Sequence, residues 1–288
     1  MTHAVDHKLH PVALDTRVTL HYIERGDPSA PLVVFVHGGG KNWKQWGQQL
    51  EPFAAAGYRA LAYSRRYAEP NDNPSVDPAY NATVDARDLD ALLRALDLDA
   101  TPAHLVGASI GGVACLFYTL AHRDRVRSLT LGEPPVLRWA LDIPGGREPF
   151  ERFLHDAFLP AGELFRRGDG ERAMGLIMDV FLGRGSWAAM SDARRRRIMR
   201  GARDWGAQSA STDAFPPLDR DLVRTITQPA LLLTGDRTIP VHDLVDAELA
   251  RLMPNARRVK VPNATHDMWA DAPEFCRART LDFLSTVQ

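Results

Sequence analysis

The chain has 288 residues, 45% of them apolar and 25% charged, and a formal net charge of −1. That balance supplies a large buried core and no basic field to hold nucleic acid. No apolar run approaches the roughly 20 residues of a membrane span, and the start, Met1-Thr2-His3-Ala4-Val5, lacks the apolar stretch of a signal peptide, so a soluble, cytoplasmic protein is expected.

In chain order, residues 8–14 and 17–24 alternate as two strands joined by a turn at Asp15-Thr16. Leu32-Val33-Val34-Phe35-Val36 is a continuous apolar run, the pattern of a strand covered on both faces, and it ends in His37-Gly38-Gly39-Gly40. Helical spacing follows from Trp46 to Ala56 and stops at Gly57. Arg59 to Tyr63 is the next strand, leading to a polar loop with Arg65 and Arg66. Those two arginines are read as solvated, with an anionic substrate group as the competing role. Thr83 to Leu98 fits a helix with a solvated acidic face. Leu105 and Val106 mark a buried strand, Val113 to Tyr118 a helix, and Val126 to Leu131 a further strand.

From Pro134 to about Pro217 strand-like runs stop. Bulky apolar residues such as Phe153, Phe158, Phe181 and Trp205 alternate with arginines, prolines and glycines, which predicts several amphipathic helices. Arg194 to Arg197 would cover the whole circumference of a helix and is flanked by acids, so a solvated face is expected. Alternation then resumes, with strands at 230–234 and 257–261 and helices at 241–253 and 273–287. The fold class this implies is α/β, a mostly parallel, doubly wound, eight-stranded sheet. Its core would be 1–133 and 218–288, with a helical insertion at 134–217. In such sheets ligands bind at the carboxyl ends of the strands.

The chemistry concentrates there. Gly107-Ala108-Ser109-Ile110-Gly111 is a G-x-S-x-G between a strand and a helix, the context that exposes a serine on a strained turn. A serine needs a base that is itself oriented by a third group. Of the ten histidines, only His37 and His266 follow strand ends; His242 opens a helix, His104 sits at the wrong end of its strand, and His3 and His7 lie in the N-terminal segment. Gly40-Lys41 is no phosphate loop, since Phe35 replaces the leading glycine and Asn42 the Ser/Thr. No dinucleotide fingerprint and no metal-ligand spacing is present, and Cys115 and Cys276 are expected as reduced core thiols, so neither cofactor nor metal is implied.

Taken together, His37-Gly38-Gly39-Gly40, Gly107-Ala108-Ser109-Ile110-Gly111 and the His266 loop make the chain resemble the α/β-hydrolase fold family nearly end to end. The resemblance implies a catalytic triad in the order nucleophile, acid, histidine, an oxyanion hole from Gly39 and Ile110, and a cap formed by the insertion. The acid departs from the usual pattern: three residues after Gly235 stands Thr238, and Asp236 comes two residues early. Glu133, after strand six, fits the variant with a glutamate acid and is preferred over Asp236. Gly38 with Trp43, Trp46, Trp139, Trp187 and Trp269 are candidates for the substrate pocket, with core packing the competing role for each tryptophan. The expected activity is hydrolysis of a small-molecule carboxylic ester or lactone. The same triad also serves C–C bond hydrolases and cofactor-free perhydrolases, and a non-catalytic small-molecule receptor is the alternative from a different class.

Overall fold

The computed structural model describes residues 8–74 and 76–287; His3, His7 and the first residues read for a signal peptide lie outside the described residues. The strands are β1 (His10–Ala13), β2 (Thr19–Arg25), β3 (Leu32–Val36), β4 (Arg59–Tyr63), β5 (Ala103–Ala108), β6 (Val126–Gly132), β7 (Ala230–Gly235) and β8 (Ala256–Val261). They form one sheet in the order β1-β2-β4-β3-β5-β6-β7-β8. β2 runs antiparallel to both its neighbours, and every other pair from β4 to β8 is parallel.

Continuous apolar strands are what a sheet covered on both sides requires, because successive side chains point to opposite faces. Val34, Val36, Leu105, Leu129 and Leu131 join one core layer, with helices α2 (Ala82–Ala95), α3 (Ile110–Ala121) and α11 (Pro240–Leu252). Val33, Phe35, Val106, Leu231 and Leu233 join the other, with α1 (Gly47–Ala55) and α13 (Pro273–Leu284). Cys115 and Cys276 are free thiols buried in these two layers.

Two local expectations change. Helical spacing from Trp46 resolves into a 3-10 turn, Trp43–Trp46, capped by Asn42, followed by α1. The acidic face of α2 is not all solvated: Asp85 and Asp88 are each 1% exposed. Their partners are arginines in the loop after β4, which sequence spacing along α2 does not show.

Between β6 and β7 the described chain is helical: α4 (Arg147–Phe153), a π turn (Leu154–Phe158), α5 (Leu159–Arg166), α6 (Gly170–Leu182), α7 (Ser186–Ala189), α8 (Asp192–Met199), α9 (Ala202–Ser209) and, before β7, α10 (Arg220–Arg224). Arg194 to Arg197 sit on α8 at the surface. α12 (Met268–Asp271), one turn before α13, completes the chain.

Candidate active site

Ser109 stands between β5 and α3 with φ 51° and ψ −126°. A left-handed φ at a residue with a side chain is strained and persists only where the surroundings hold it. Here the Ser109 N–H donates to Gly132 O at 2.7 Å. The flanking glycines are obligatory by contact: a Cβ on Gly107 would stand 2.6 Å from Gly112 Cα, and one on Gly111 2.4 Å from Val36 O. Strand and helix cross that closely only without side chains.

Strand register puts the other groups beside it. Ala108 pairs with Gly132 and Gly235 with Val261, so Ser109, Glu133 and the loop carrying His266 leave the same edge of the sheet. His266 Nε2 lies 3.0 Å from Ser109 Oγ, and His266 Nδ1 lies 2.6 Å from Glu133 Oε2. Glu133 is fully buried and, like Ser109, has a positive φ, 45°. Gly235 N–H donates to its Oε1 at 2.8 Å and the Thr238 hydroxyl to Oε2 at 2.7 Å. Burial raises the pKa of this carboxyl, but the hydrogen bond and charge of His266, with His242 and Thr238, outweigh it and hold the group below the usual range, hence ionised. Thr238, at the place where the family's acid usually stands, therefore serves Glu133. Asp236 is exposed, and both ring nitrogens of His266 are already engaged.

The glycine loop after β3 lies against Ser109: a Cβ on Gly38 would be 3.3 Å from Ser109 Cβ. Gly38 N–H donates to Gln45 Oε1 (3.0 Å) and Gly40 N–H to Asp204 Oδ2 (2.8 Å), so the peptides flanking Gly39 are pinned from both sides. His37 is fully buried, its Nδ1 donating to Gly38 O and its Nε2 accepting from Arg65 N–H. Burial and the Arg65 charge hold it well below the ordinary histidine range, as a neutral brace of the loop.

Arg65 corrects the reading of a solvated arginine. It is 1% exposed and donates to His37 O, Gly38 O, Asp85 and Asp204. One guanidinium thus ties the glycine loop to α2 and to α9. Arg66 pairs with Asp88 in the same manner. Neither partner set is visible locally, because Asp204 lies 139 positions away.

Beside Ser109 is a cavity of about 30 Å³ walled by Phe153, Phe158, Phe181, Phe215 and Trp205, with Gln208 and His242 as its other polar groups. The five tryptophans offered as pocket candidates, Trp43, Trp46, Trp139, Trp187 and Trp269, do not line it. Trp269 packs edge-on against Trp46 at 4.9 Å in the core layer that also holds Trp43. Trp139 Nε1 donates to Leu218 O, and Trp187 covers Gly175 on α6. Phe153, Phe158 and Phe181 of the helical segment, with Phe215 from the loop after α9, take the wall instead; the helical spacing of the first three was legible, but not which face turns to Ser109.

His242 is the group that sequence reasoning set aside. It is 3% exposed, its ring 4.3 Å from that of His266 and its Nδ1 3.8 Å from Glu133 Oε2. The available signal was its place in the first turn of the helix after β7, the loop region where the family usually keeps its acid. Glu133, His242 and His266 together bring donor atoms within 4.8 Å of one another, a metal-type cluster absent from linear spacing. Both Glu133 oxygens already accept hydrogen bonds, from Gly235, Thr238 and His266. A larger open groove, about 450 Å³ between α2 and α3, shares no lining residue with the Ser109 cavity.

Known proteins extend this picture. 2-Hydroxy-6-oxo-6-phenylhexa-2,4-dienoate hydrolase of Burkholderia cepacia is 27% identical over 275 residues, 92% of this chain and 91% of that protein. Epoxide hydrolase 3 of Xenopus tropicalis is 33% identical over 121 residues, 42% of this chain, which spans only 32% of that protein's length. The enol-lactonase from Burkholderia xenovorans LB400 superposes with a TM-score of 0.74 at 18% identity, over 96% of this chain and 100% of that one, a likeness of fold. A model of the alpha/beta hydrolase family matches residues 33–279, from β3 into α13. The chain belongs to the alpha/beta hydrolase family.

Proposed function

We propose that the chain is a serine hydrolase that cleaves a carboxylic ester or lactone through an acyl-enzyme on Ser109. The observation that carries this reading is the chain from Ser109 Oγ through His266, at 3.0 Å, to Glu133, at 2.6 Å. His266 takes the Ser109 proton as the oxygen attacks the carbonyl and returns it to the leaving alcohol. Glu133 holds the proton on Nδ1 and stabilises the imidazolium. Gly39 and Ile110 N–H groups face the oxyanion, on a loop that Gln45, Asp204 and Arg65 keep in place. Water activated by the same histidine then releases the acid. The chemistry is complete without a cofactor, on a small-molecule substrate in the cytoplasm.

The nucleophile decides against epoxides. A serine oxygen that opened an epoxide would end in an ether, which offers water no carbonyl to attack. C–C bond hydrolysis keeps a place as the second reading, because the Burkholderia cepacia relative aligns over 91% of its length. The residues between β6 and β7 act as a cap: Phe153, Phe158 and Phe181 from this segment wall the cavity that Ser109 lines.

Steady-state turnover of short p-nitrophenyl esters and lactones, beside a 2-hydroxy-6-oxodienoate, tests the assignment. The expected result is faster ester or lactone turnover, abolished in Ser109→Ala with circular dichroism unchanged. Preference for the dienoate would move the assignment to C–C cleavage.

A further inference from the structure

His242 belongs to no step above, yet it is built into the site. Its ring lines the cavity that holds Ser109, 4.3 Å from the His266 ring. Nδ1 faces Glu133, whose carboxylate lies 3.8 Å away and whose backbone hydrogen-bonds the ring, so the proton of the neutral ring is assigned to that nitrogen. Nε2 is left with a lone pair, buried, and has no hydrogen-bond partner among the described residues. A buried acceptor without a partner is costly, so one kept in the wall of the Ser109 cavity points to a donor that arrives with the reaction. The surrounding wall is aromatic, with Phe181 stacked on His266 at 4.9 Å. An O–H group beside His266 therefore has few acceptors to choose from.

We infer that His242 Nε2 is a positioning acceptor for an O–H group brought next to His266 during turnover. This deepens the serine-hydrolase reading and rests on it. The O–H can come from the water that deacylates Ser109, giving one proton to His266 while the other is held by His242, or from a hydroxyl on the substrate. In the first case His242 aligns the water oxygen with the acyl carbon; in the second it selects hydroxylated substrates.

The experiment uses the full chain with His242→Phe, which keeps a ring of similar shape, His242→Leu as a smaller replacement should phenyl not fit, and His242→Gln, which restores an acceptor. Rapid mixing with p-nitrophenyl acetate separates the acylation burst from steady-state deacylation. If the donor is water, deacylation falls about 10-fold or more in the apolar variants while the burst rate holds within about 3-fold, and Gln recovers most of the loss. If the donor is a substrate hydroxyl, p-nitrophenyl lactate loses about 10-fold or more relative to p-nitrophenyl propionate in the apolar variants, with deacylation of acetate unchanged. Equal loss of acylation and deacylation with no change in the lactate-to-propionate ratio, or no loss in either arm, overturns the inference and leaves His242 a packing residue. Fluorophosphonate labelling of the wild type separates this from the underlying reading: if Ser109 labels and the His242 variants show neither selective loss, only the inference falls. If Ser109 fails to label, both fall.

Discussion

Glu133 and Asp236 differ in what surrounds them rather than in their chemistry. Glu133 is buried, ionised and bonded to His266, with Gly235 and Thr238 satisfying its remaining acceptor positions. Glu133→Gln should therefore lower kcat by about 10³–10⁴-fold, since an amide favours the wrong tautomer of His266. Asp236→Asn, on an exposed side chain, should stay within about 3-fold in a p-nitrophenyl ester assay; the reverse ranking would move the acid to the loop after β7. His242 gives a second test at this scale. Burial, then the nearby His266, pushes it down to about 3. The unfolded chain gains a proton below about pH 6.5 that the native ring refuses until about 3, so this group costs stability as pH falls through that window. Urea midpoints at about pH 7 and about pH 4.5 should drop further in the wild type than in His242→Phe; equal drops would contradict the burial argument.

Between elements, the strongest tie is Arg65, which holds Asp85 of α2 and Asp204 of α9 at 2.7 Å each while donating to the glycine loop. Burial pushes Asp85 up to about 6 and raises Asp204 as well, so both depend on the guanidinium to remain charged. Arg65→Met should cost about 3–5 kcal/mol in urea unfolding, because it strands two buried carboxylates. A loss below 1 kcal/mol, roughly that of an exposed pair, would contradict this account. The network also explains what was legible in the sequence. Strands β3 and β7 announce themselves because burial on both faces needs nearly uninterrupted apolar runs. Ser109 and His266 are legible because their neighbours in sequence make the turn and the loop. Arg65 and Asp85 read as solvated, and His242 goes without a role although its place at a helix start holds, because their partners come from elements far along the chain and a charged residue in a polar loop carries no local mark of burial. Trp43, Trp46 and Trp269 take the core-packing role weighed for them, because size alone does not say which layer a ring fills.

At the scale of the molecule, the sheet supplies the reactive groups and the helical segment between β6 and β7 supplies the wall. Phe158 and Phe215 pack at 4.7 Å in the wall of the cavity that Ser109 lines. Phe215→Ala should open that wall and shift the acyl preference of p-nitrophenyl esters toward longer chains by about 10-fold in relative kcat/KM. An unchanged chain-length profile would place the acyl group elsewhere. All of this depends on one nucleophile. Intact-protein and peptide mass spectrometry after exposure to a fluorophosphonate ester measures it directly. The account predicts a single adduct on Ser109, formed in the wild type and absent in Ser109→Ala together with ester turnover. An adduct on another residue, or ester turnover that survives in Ser109→Ala, would contradict it.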